Sequence, residues 1–200
     1  LVAVVIPCRR NGELIGLVRR SLRPDDPKYR NSRGLSKAGF LFGLEHVASD
    51  ERSVTVVEGP LDCMWLDQHG IPAVAILGSS MSFEQADEIR RRFWSVTFAF
   101  DQDSAGLNAL VLSARLLEGL DLKIVTLPPG RKDVQECSSE ELANIFTSAE
   151  DLWYNILARG ATRPTGLGQL SDSPRGRTTE RRERDGRSAF PYFGANRHHP

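Results

Sequence analysis

Short apolar runs alternate with amphipathic segments through the middle of the chain. The runs are rich in β-branched and aromatic residues, which favours strands, and each is followed by apolar residues at helical spacing. The predicted strands span residues 53–57, 73–77, 95–100 and 122–127. The predicted helices span about residues 60–69, 83–93, 104–118 and 139–148. Strands that alternate with helices predict a doubly wound α/β fold, with a mostly parallel sheet flanked by helices.

Local signals mark the ends of these elements. Two pairs of residues have the spacing of a capping box at a helix start, Ser82 with Gln85 and Ser138 with Glu141. Pro128-Pro129-Gly130 ends the fourth strand because proline donates no backbone hydrogen bond to a sheet. The boundaries of the α/β region are therefore predicted from caps and turns as well as from periodicity.

The N-terminal part of the chain has a different pattern. Apolar runs at residues 1–6 and 14–18 flank Asn11-Gly12, which predicts a β-hairpin. Residues 21–37 are polar, basic and interrupted by proline, so we predict a loop there. Residues 38–49 are mainly apolar and predict a short helix.

The C-terminal part loses the pattern. Residues 151–158 predict one more helix, but from about residue 160 the chain is rich in Arg, Gly, Ser, Thr and Pro. Such a segment buries too little apolar surface to offset its ordering entropy, so we predict disorder. This Arg-rich tail is either a simple tail or an arm that binds nucleic acid.

The net charge of zero is a cancellation. Residues 1–37 hold nine Lys/Arg and three Asp/Glu, residues 38–158 hold eight and nineteen, and residues 159–200 hold nine and four. A basic start, an acidic body and a basic end suit a polyanion that approaches a metal-loaded acidic site. Charge segregation of this size is also common in proteins without that function.

The three cysteines, Cys8, Cys63 and Cys137, lack zinc-ligand spacing and do not suggest a disulfide framework. We therefore expect no zinc site in this chain and a cytoplasmic location. No apolar run approaches the ~18 residues of a membrane span, so we expect no membrane partner. The chain starts at Leu1 inside an apolar run, which suggests a fragment of a longer protein.

Carboxylates follow two of the predicted strands. Glu58 follows the run at 54–57, and Asp101 with Asp103 follows the run at 96–100. Ligands of open α/β sheets bind at the carboxyl ends of the strands. Carboxylates gathered there repel one another, by roughly 4 kcal/mol for a pair ~4 Å apart at an effective dielectric of 20. A hard divalent cation removes this repulsion, so the pattern predicts a Mg²⁺ site that handles phosphates.

Neighbouring residues extend this prediction. Asp101 and Asp103 share one face of an extended chain, and Gly59 lets a ligand approach the backbone closely. Asp62 lies one turn into the next helix, where it either faces the same cleft or complements the helix dipole. Lys132-Asp133, after the fourth strand, offers a phosphate contact and a further carboxylate, unless it is ordinary surface charge.

Three segments resemble the Toprim fold in order and spacing, and more closely the Toprim domain of bacterial replicative (DnaG-type) primases. They are Val56–Asp62, Leu77–Ser80 and Phe100–Gly106. Upstream, residues 5–16, 27–32 and 37–44 resemble the primase stretch that joins the basic, template-binding lobe. The resemblance covers roughly residues 2–148.

The resemblance implies roles for particular residues. The predicted ligands of Mg²⁺ or Mn²⁺ are Glu58, Asp101, Asp103 and Asp133, the first three being catalytic. The template or nucleotide path would be lined by Arg9, Arg19, Lys28, Tyr29 and Asn31, beside the phosphate contact predicted for Lys132. Supporting positions are Gly59, Asp62, Gly78, Ser79 and Gly106.

The resemblance also implies a domain organisation. It consists of the end of the basic α+β lobe (1–50), the Toprim metal-binding domain (51–150), a possible terminal helix (151–160) and the disordered tail (161–200). Replicative primases usually carry Asp-Pro-Asp where this chain has Lys132-Asp133, which is more similar to phage and plasmid primases. Both lineages therefore stay open.

The implied function is synthesis of short RNA primers on single-stranded DNA during replication. Metals would bridge the phosphates of ribonucleoside triphosphates and the acidic cluster, and Glu58 could instead act as a general base. A replicative helicase is a further expected partner. Two alternatives remain, a Toprim nuclease with the same acids and a non-catalytic module that binds nucleic acid.

Overall fold

The computed structural model describes residues 3–101 and 104–158, and these form two sheets with flanking helices. The strands are β1 (Ala3–Arg10), β2 (Glu13–Ser21), β3 (Tyr29–Asn31), β4 (Ser53–Val57), β5 (Ala73–Ala75), β6 (Ser95–Phe98), β7 (Asp121–Ile124) and β8 (Glu150–Asp151). The helices are α1 (Pro60–Gln68), α2 (Phe83–Arg92), α3 (Ser104–Leu116), α4 (Ser139–Thr147) and α5 (Leu152–Ala158), with a short 3-10 helix at Val134–Glu136. No helix in these ranges is long and apolar enough to span a membrane.

The central sheet has five strands in the order β5-β4-β6-β7-β8. The pairs β4–β5, β4–β6 and β6–β7 are parallel, and only the edge strand β8 is antiparallel. The predicted doubly wound and mostly parallel α/β sheet is therefore confirmed.

Alternation along β4 shows how the sheet is buried on both faces. Val56 packs into a cluster with α2, α3 and α5, whereas the next residue, Val57, packs into a cluster with α1 and α4. Both valines have no exposed surface. Near-continuous apolar strands are what a parallel sheet covered on two sides requires.

The N-terminal sheet has the order β1-β2-β3 and is antiparallel throughout. The predicted hairpin is confirmed, with Asn11 and Gly12 at positive φ in the turn. The inward residues Ile6, Cys8 and Val18 join the core cluster on the α1 and α4 face of the central sheet. Strand β3 lies within residues 21–37, so the prediction of a continuous loop there was wrong.

The predicted helix at 38–49 was also wrong. Phe42 instead pairs with Ala75 through two backbone hydrogen bonds of 2.9–3.0 Å, which extends the edge of the central sheet. The three apolar residues from Phe40 to Phe42 are buried and alternate between the two core clusters, as an extended chain does. Gly43 then takes a φ of +85°, which no helix contains.

Both capping boxes are present, at the starts of α2 and α4. The strands after β4 end earlier than predicted, and Leu77, beyond β5, has a φ of +56°. The helix predicted at 151–158 is observed as α5. The predicted disorder of 161–200 lies outside the described residues, and the predicted domain boundaries stay predictions.

Candidate active site

A cleft of ≈ 330 Å³ opens where β4, β5 and β6 end. Four carboxylates line it, Glu58, Asp62, Asp101 and Asp133. Polar side chains from the N-terminal part of the chain also line it, namely Lys28, Tyr29, Asn31 and Lys37. The cleft thus gathers acids that follow β4, β6 and β7 with residues of β3 and of the segments on either side of it.

Glu58 and Asp101 are brought together by the register of two adjacent parallel strands. Val56 of β4 lies opposite Phe98 of β6, and the chain continues from these residues to the two acids. Gly106 in the first turn of α3 packs against both. A Cβ at Gly106 would overlap the backbone oxygen of Asp101 and would lie 3.3 Å from Oε1 of Glu58. The start of α3 therefore approaches the two predicted ligands as closely as glycine allows.

Asp62 lies in the first turn of α1 and is 7% exposed. Its Oδ1 accepts a hydrogen bond of 2.6 Å from Nε2 of Gln135. Its Oδ2 would lie 2.7 Å from a Cβ at Gly59, so this glycine also makes room for a site carboxylate. Asp62 occupies both positions predicted for it, the helix start and the wall of the cleft.

The carboxylates of the cleft repel one another. Burial is the main reason that the pKa of Asp62 is raised to about 6; the hydrogen bond from Gln135 opposes this rise, and the charges of Asp133 and Asp101 add to it. Asp133 caps the short 3-10 helix, accepting backbone hydrogen bonds from Gln135 at 3.0 Å and Glu136 at 3.3 Å. Its carboxylate is therefore fixed by the loop after β7.

The basic side of the cleft comes from β3 and the segment after it. The Tyr29 hydroxyl accepts a 2.7 Å hydrogen bond from Nη1 of Arg20, whose guanidinium also lies over the ring at 5.1 Å. The ammonium group of Lys28 lies 5.9 Å from the centre of the same ring. The ammonium group of Lys37 would lie 3.4 Å from a Cβ at Gly78. Two lysines thus face the gathered carboxylates.

The loop after β5 forms another part of the cleft wall. Gly78 and Ser79 line the cleft directly after Leu77, whose positive φ is rare for a branched residue. Such conformations cost on the order of 1–3 kcal/mol and cluster at functional sites. The turn at Leu77 brings the Gly78-Ser79 backbone to the mouth of the cleft.

Three of the predicted nucleic-acid contacts do not line this cleft. Arg9 donates to the backbone oxygen of Gly12 in the hairpin turn. Arg19 forms an ion pair with Asp26. Lys132 is exposed and precedes the cap formed by Asp133. The fourth predicted carboxylate ligand, Asp103, lies outside the described residues.

The donor chemistry of the cleft fits a hard divalent cation. Carboxylate oxygens are the ligands that Mg²⁺ prefers, and a bound cation would relieve the repulsion that Asp133 and Asp101 exert on Asp62. Among residues 3–101 and 104–158, no three His, Cys, Asp or Glu side chains are close enough to hold a metal ion by themselves. The predicted ligand set therefore stays a prediction.

Sequence reasoning missed three residues of this site, Lys37, Arg20 and Gln135. Lys37 begins the segment 37–44, which resembles primases, and this resemblance was the one available signal. Arg20 and Gln135 act through side-chain contacts with residues on other elements, and no local pattern marks them.

Comparisons with known proteins agree with this geometry. A family profile described as Toprim-like matches residues 55–138, which run from within β4 to just beyond the 3-10 helix. The DNA primase of Clostridium acetobutylicum is 33% identical over 130 residues, covering 60% of this chain and 22% of that protein. Residues 55–138 thus match a Toprim-like domain, in a chain that is similar to DNA primases. Proteins with this domain generally use divalent metals such as Mg²⁺.

Solved structures extend the likeness beyond the Toprim domain. The zinc-binding and RNA polymerase domains of the Aquifex aeolicus primase are 31% identical, with a TM-score of 0.67, over 79% of this chain and 43% of that one. A DnaG primase catalytic domain bound to single-stranded DNA is 28% identical, with a TM-score of 0.63, over 78% and 56%. The chain spans about a fifth to a third of the length of the curated primases it matches.

Proposed function

We propose that this chain is part of a DNA primase and contributes the catalytic centre that joins ribonucleotides on single-stranded DNA. The observation that supports this most directly is the cleft at the carboxyl edge of the sheet, which is lined by four carboxylates together with Lys28 and Lys37. Acids of this kind suit a cation, and the lysines suit the phosphates that the cation binds. The single-stranded DNA bound by the related DnaG catalytic domain is of the proposed template class.

Glu58, Asp101 and Asp103 would hold Mg²⁺ or Mn²⁺, with Asp133 as a further ligand. When bound, the cation supplies charge stabilisation for the reacting phosphates. Lys37, beside Gly78, and Lys28, beside Tyr29, would hold the triphosphate of a ribonucleotide. Gly59 and Gly106 keep the cleft open by allowing the acids to approach the backbone.

The proposal also covers the residues that contact nucleic acid and the partners of the chain. Asn31 and Tyr29 would contact nucleotide or template within the cleft, whereas Arg9, Arg19 and Lys132 would contact nucleic acid outside it. A replicative helicase and a cytoplasmic location follow from the same proposal.

The test is primer synthesis by D101N. The chain, and a version extended upstream, is incubated with single-stranded DNA, ribonucleoside triphosphates and Mg²⁺ or Mn²⁺, and the products are separated on a gel. We expect short new RNA from wild type and a loss of about 10²-fold or more in D101N, because a lost carboxylate ligand removes several kcal/mol of charge stabilisation.

The matched control is D121N. Asp121 starts β7 at the other end of the sheet and accepts a 2.9 Å hydrogen bond from Ser95, so its substitution should leave synthesis unchanged. Folding of both variants is checked by circular dichroism. Synthesis retained in D101N would refute the proposed metal site. If the wild-type chain shortened the template without making new RNA, the function would be that of a nuclease. If it did neither, the chain would be a module that only binds nucleic acid.

A further inference from the structure

Gln135 contacts two carboxylates of the cleft at once. Its side-chain Nε2 donates to Oδ1 of Asp62 at 2.6 Å, and its backbone N–H donates to Oδ1 of Asp133 at 3.0 Å. Asp62 lies on α1, 73 positions earlier in the chain, whereas Asp133 caps the 3-10 helix that contains Gln135. One residue thus connects two acids that the chain brings from separate elements.

This connection determines which oxygen of Asp62 remains for the cleft. Oδ1 is occupied by the amide of Gln135, and Oδ2 lies beside Gly59. The Tyr29 hydroxyl would lie 3.5 Å from a Cβ at that same glycine. The donor from Gln135 therefore fixes the rotation of a buried carboxylate and leaves its second oxygen near the cleft mouth.

Few other side chains can make this contact. Asparagine is one methylene shorter, so its amide would not reach Asp62 from the same backbone position. Methionine has similar length without a donor, and glutamate would place a second buried anion against Asp62, which is costly. The geometry thus requires the length of glutamine together with its N–H₂ group.

We propose that Gln135 is a positioning residue that holds Asp62 and Asp133 at a fixed separation, so that both carboxylates would face one bound cation. This inference rests on the proposed function and deepens it, because it adds a residue that touches neither metal nor substrate. Residues that orient metal ligands typically change metal affinity 10–100-fold when substituted.

The experiment measures Mn²⁺ binding by calorimetry, independently of activity, for wild type, Q135M and Q135N. The control is Q68M, an equivalent change at the exposed end of α1. We expect the dissociation constant for Mn²⁺ to rise about tenfold in Q135M and in Q135N, because neither side chain can donate to Asp62, and to stay unchanged in Q68M. In primer synthesis at fixed Mn²⁺, Q135M should raise KM for the ribonucleotide more than it lowers kcat.

Thermal unfolding without metal separates positioning from folding. A lower melting temperature with unchanged Mn²⁺ affinity would overturn the proposal, because Gln135 would then be only structural. If Q135M does not fold, Q135N carries the test, since it keeps a polar side chain at this position but is too short to reach Asp62. If the wild-type protein neither bound Mn²⁺ nor made RNA, the proposed function would be refuted. If the wild-type protein bound Mn²⁺ and both Gln135 variants bound it equally well, only the role of Gln135 would be refuted.

Discussion

The two ends of the central sheet hold their carboxylates in opposite ways. At the amino ends, Glu51 precedes β4 and accepts hydrogen bonds of 2.8–2.9 Å from Arg52 and Ser53. The backbone N–H of Ser53 is the main reason that the pKa of Glu51 is lowered. Asp121, which begins β7, accepts from Ser95 in the same way.

At the carboxyl ends, the acids lie close together although their negative charges repel one another. Asp62 has a raised pKa because it is buried and lies near Asp133 and Asp101. Leu77 has an unfavourable φ, and Gly106 leaves no room for a methyl group. At the amino ends, the contacts of the carboxylates thus stabilise the fold. At the carboxyl ends, the buried acids and the strained backbone lower the stability of the fold, which is typical of functional sites.

The largest expected effect that would sharpen this comparison comes from G106A. A Cβ there overlaps the backbone oxygen of Asp101, so either α3 or the Asp101 loop must move. We expect a loss of about 3 kcal/mol in the free energy of unfolding, together with loss of primer synthesis. Urea denaturation measures the first and the gel assay the second.

The control for this substitution is G39A, since a Cβ at Gly39 would meet no atom within 4 Å. G39A should change stability by less than about 0.5 kcal/mol. If the two variants were equally stable, the close packing at Gly106 would be unimportant.

The second prediction concerns D62N and pH. The folded-state pKa of Asp62, about 6, lies above the ~3.9 of an unfolded aspartate, so the native state retains its proton between these values. The contribution of Asp62 to stability is therefore greatest below pH 4 and is lost as pH rises through 6. Without divalent metal, D62N should be more stable than wild type at pH 8, by on the order of 2 kcal/mol.

Urea denaturation of D62N and wild type from pH 4 to 8 measures this difference, which should shrink towards pH 4. The prediction would be wrong if D62N were no more stable than wild type at pH 8. Added Mn²⁺ should narrow the gap by stabilising wild type, because the cation favours the ionised carboxylate.

The third prediction, S113A, concerns a buried residue of α3 that does not line the cleft and provides a baseline. Ser113 on α3 has no exposed surface, and within the described ranges its hydroxyl has no hydrogen-bond partner. Replacing a buried unpaired hydroxyl by a methyl group should raise the free energy of unfolding by about 1 kcal/mol. Primer synthesis should be unaffected. A destabilised S113A would mean that the hydroxyl has a partner after all.

The smallest expected effect is that of E51Q at the amino ends, and its pH dependence has the opposite sign. A lowered pKa means that the stabilisation is present above the unfolded value and is lost as pH falls through the folded value. E51Q should lose about 0.5 kcal/mol at pH 7, because the site is near solvent. Denaturation at pH 7 and pH 3 checks this. If E51Q, like D62N, were more stable than wild type at the higher pH, the contrast between the two ends of the sheet would be refuted.

Much of the fold could be predicted from sequence because its signals are local. The strand and helix alternation between residues 53 and 158 depends on apolar periodicity, and the caps at Ser82 and Ser138 depend on residues three positions apart. The extended segment at Phe40–Phe42 was mistaken for a helix because its pairing with Ala75 is not local. Strand β3 was missed for the same reason, since its partner β2 fixes it.

The same distinction applies to the site. The sequence by itself placed Glu58 and Asp101 at strand ends, and parallel pairing then requires these ends to meet at one edge. Only the tertiary structure added Lys37 and Gln135, and only burial among other carboxylates raised the pKa of Asp62. Periodicity and caps act over a few residues, whereas desolvation and a hydrogen bond across 73 positions exist only when the chain is folded.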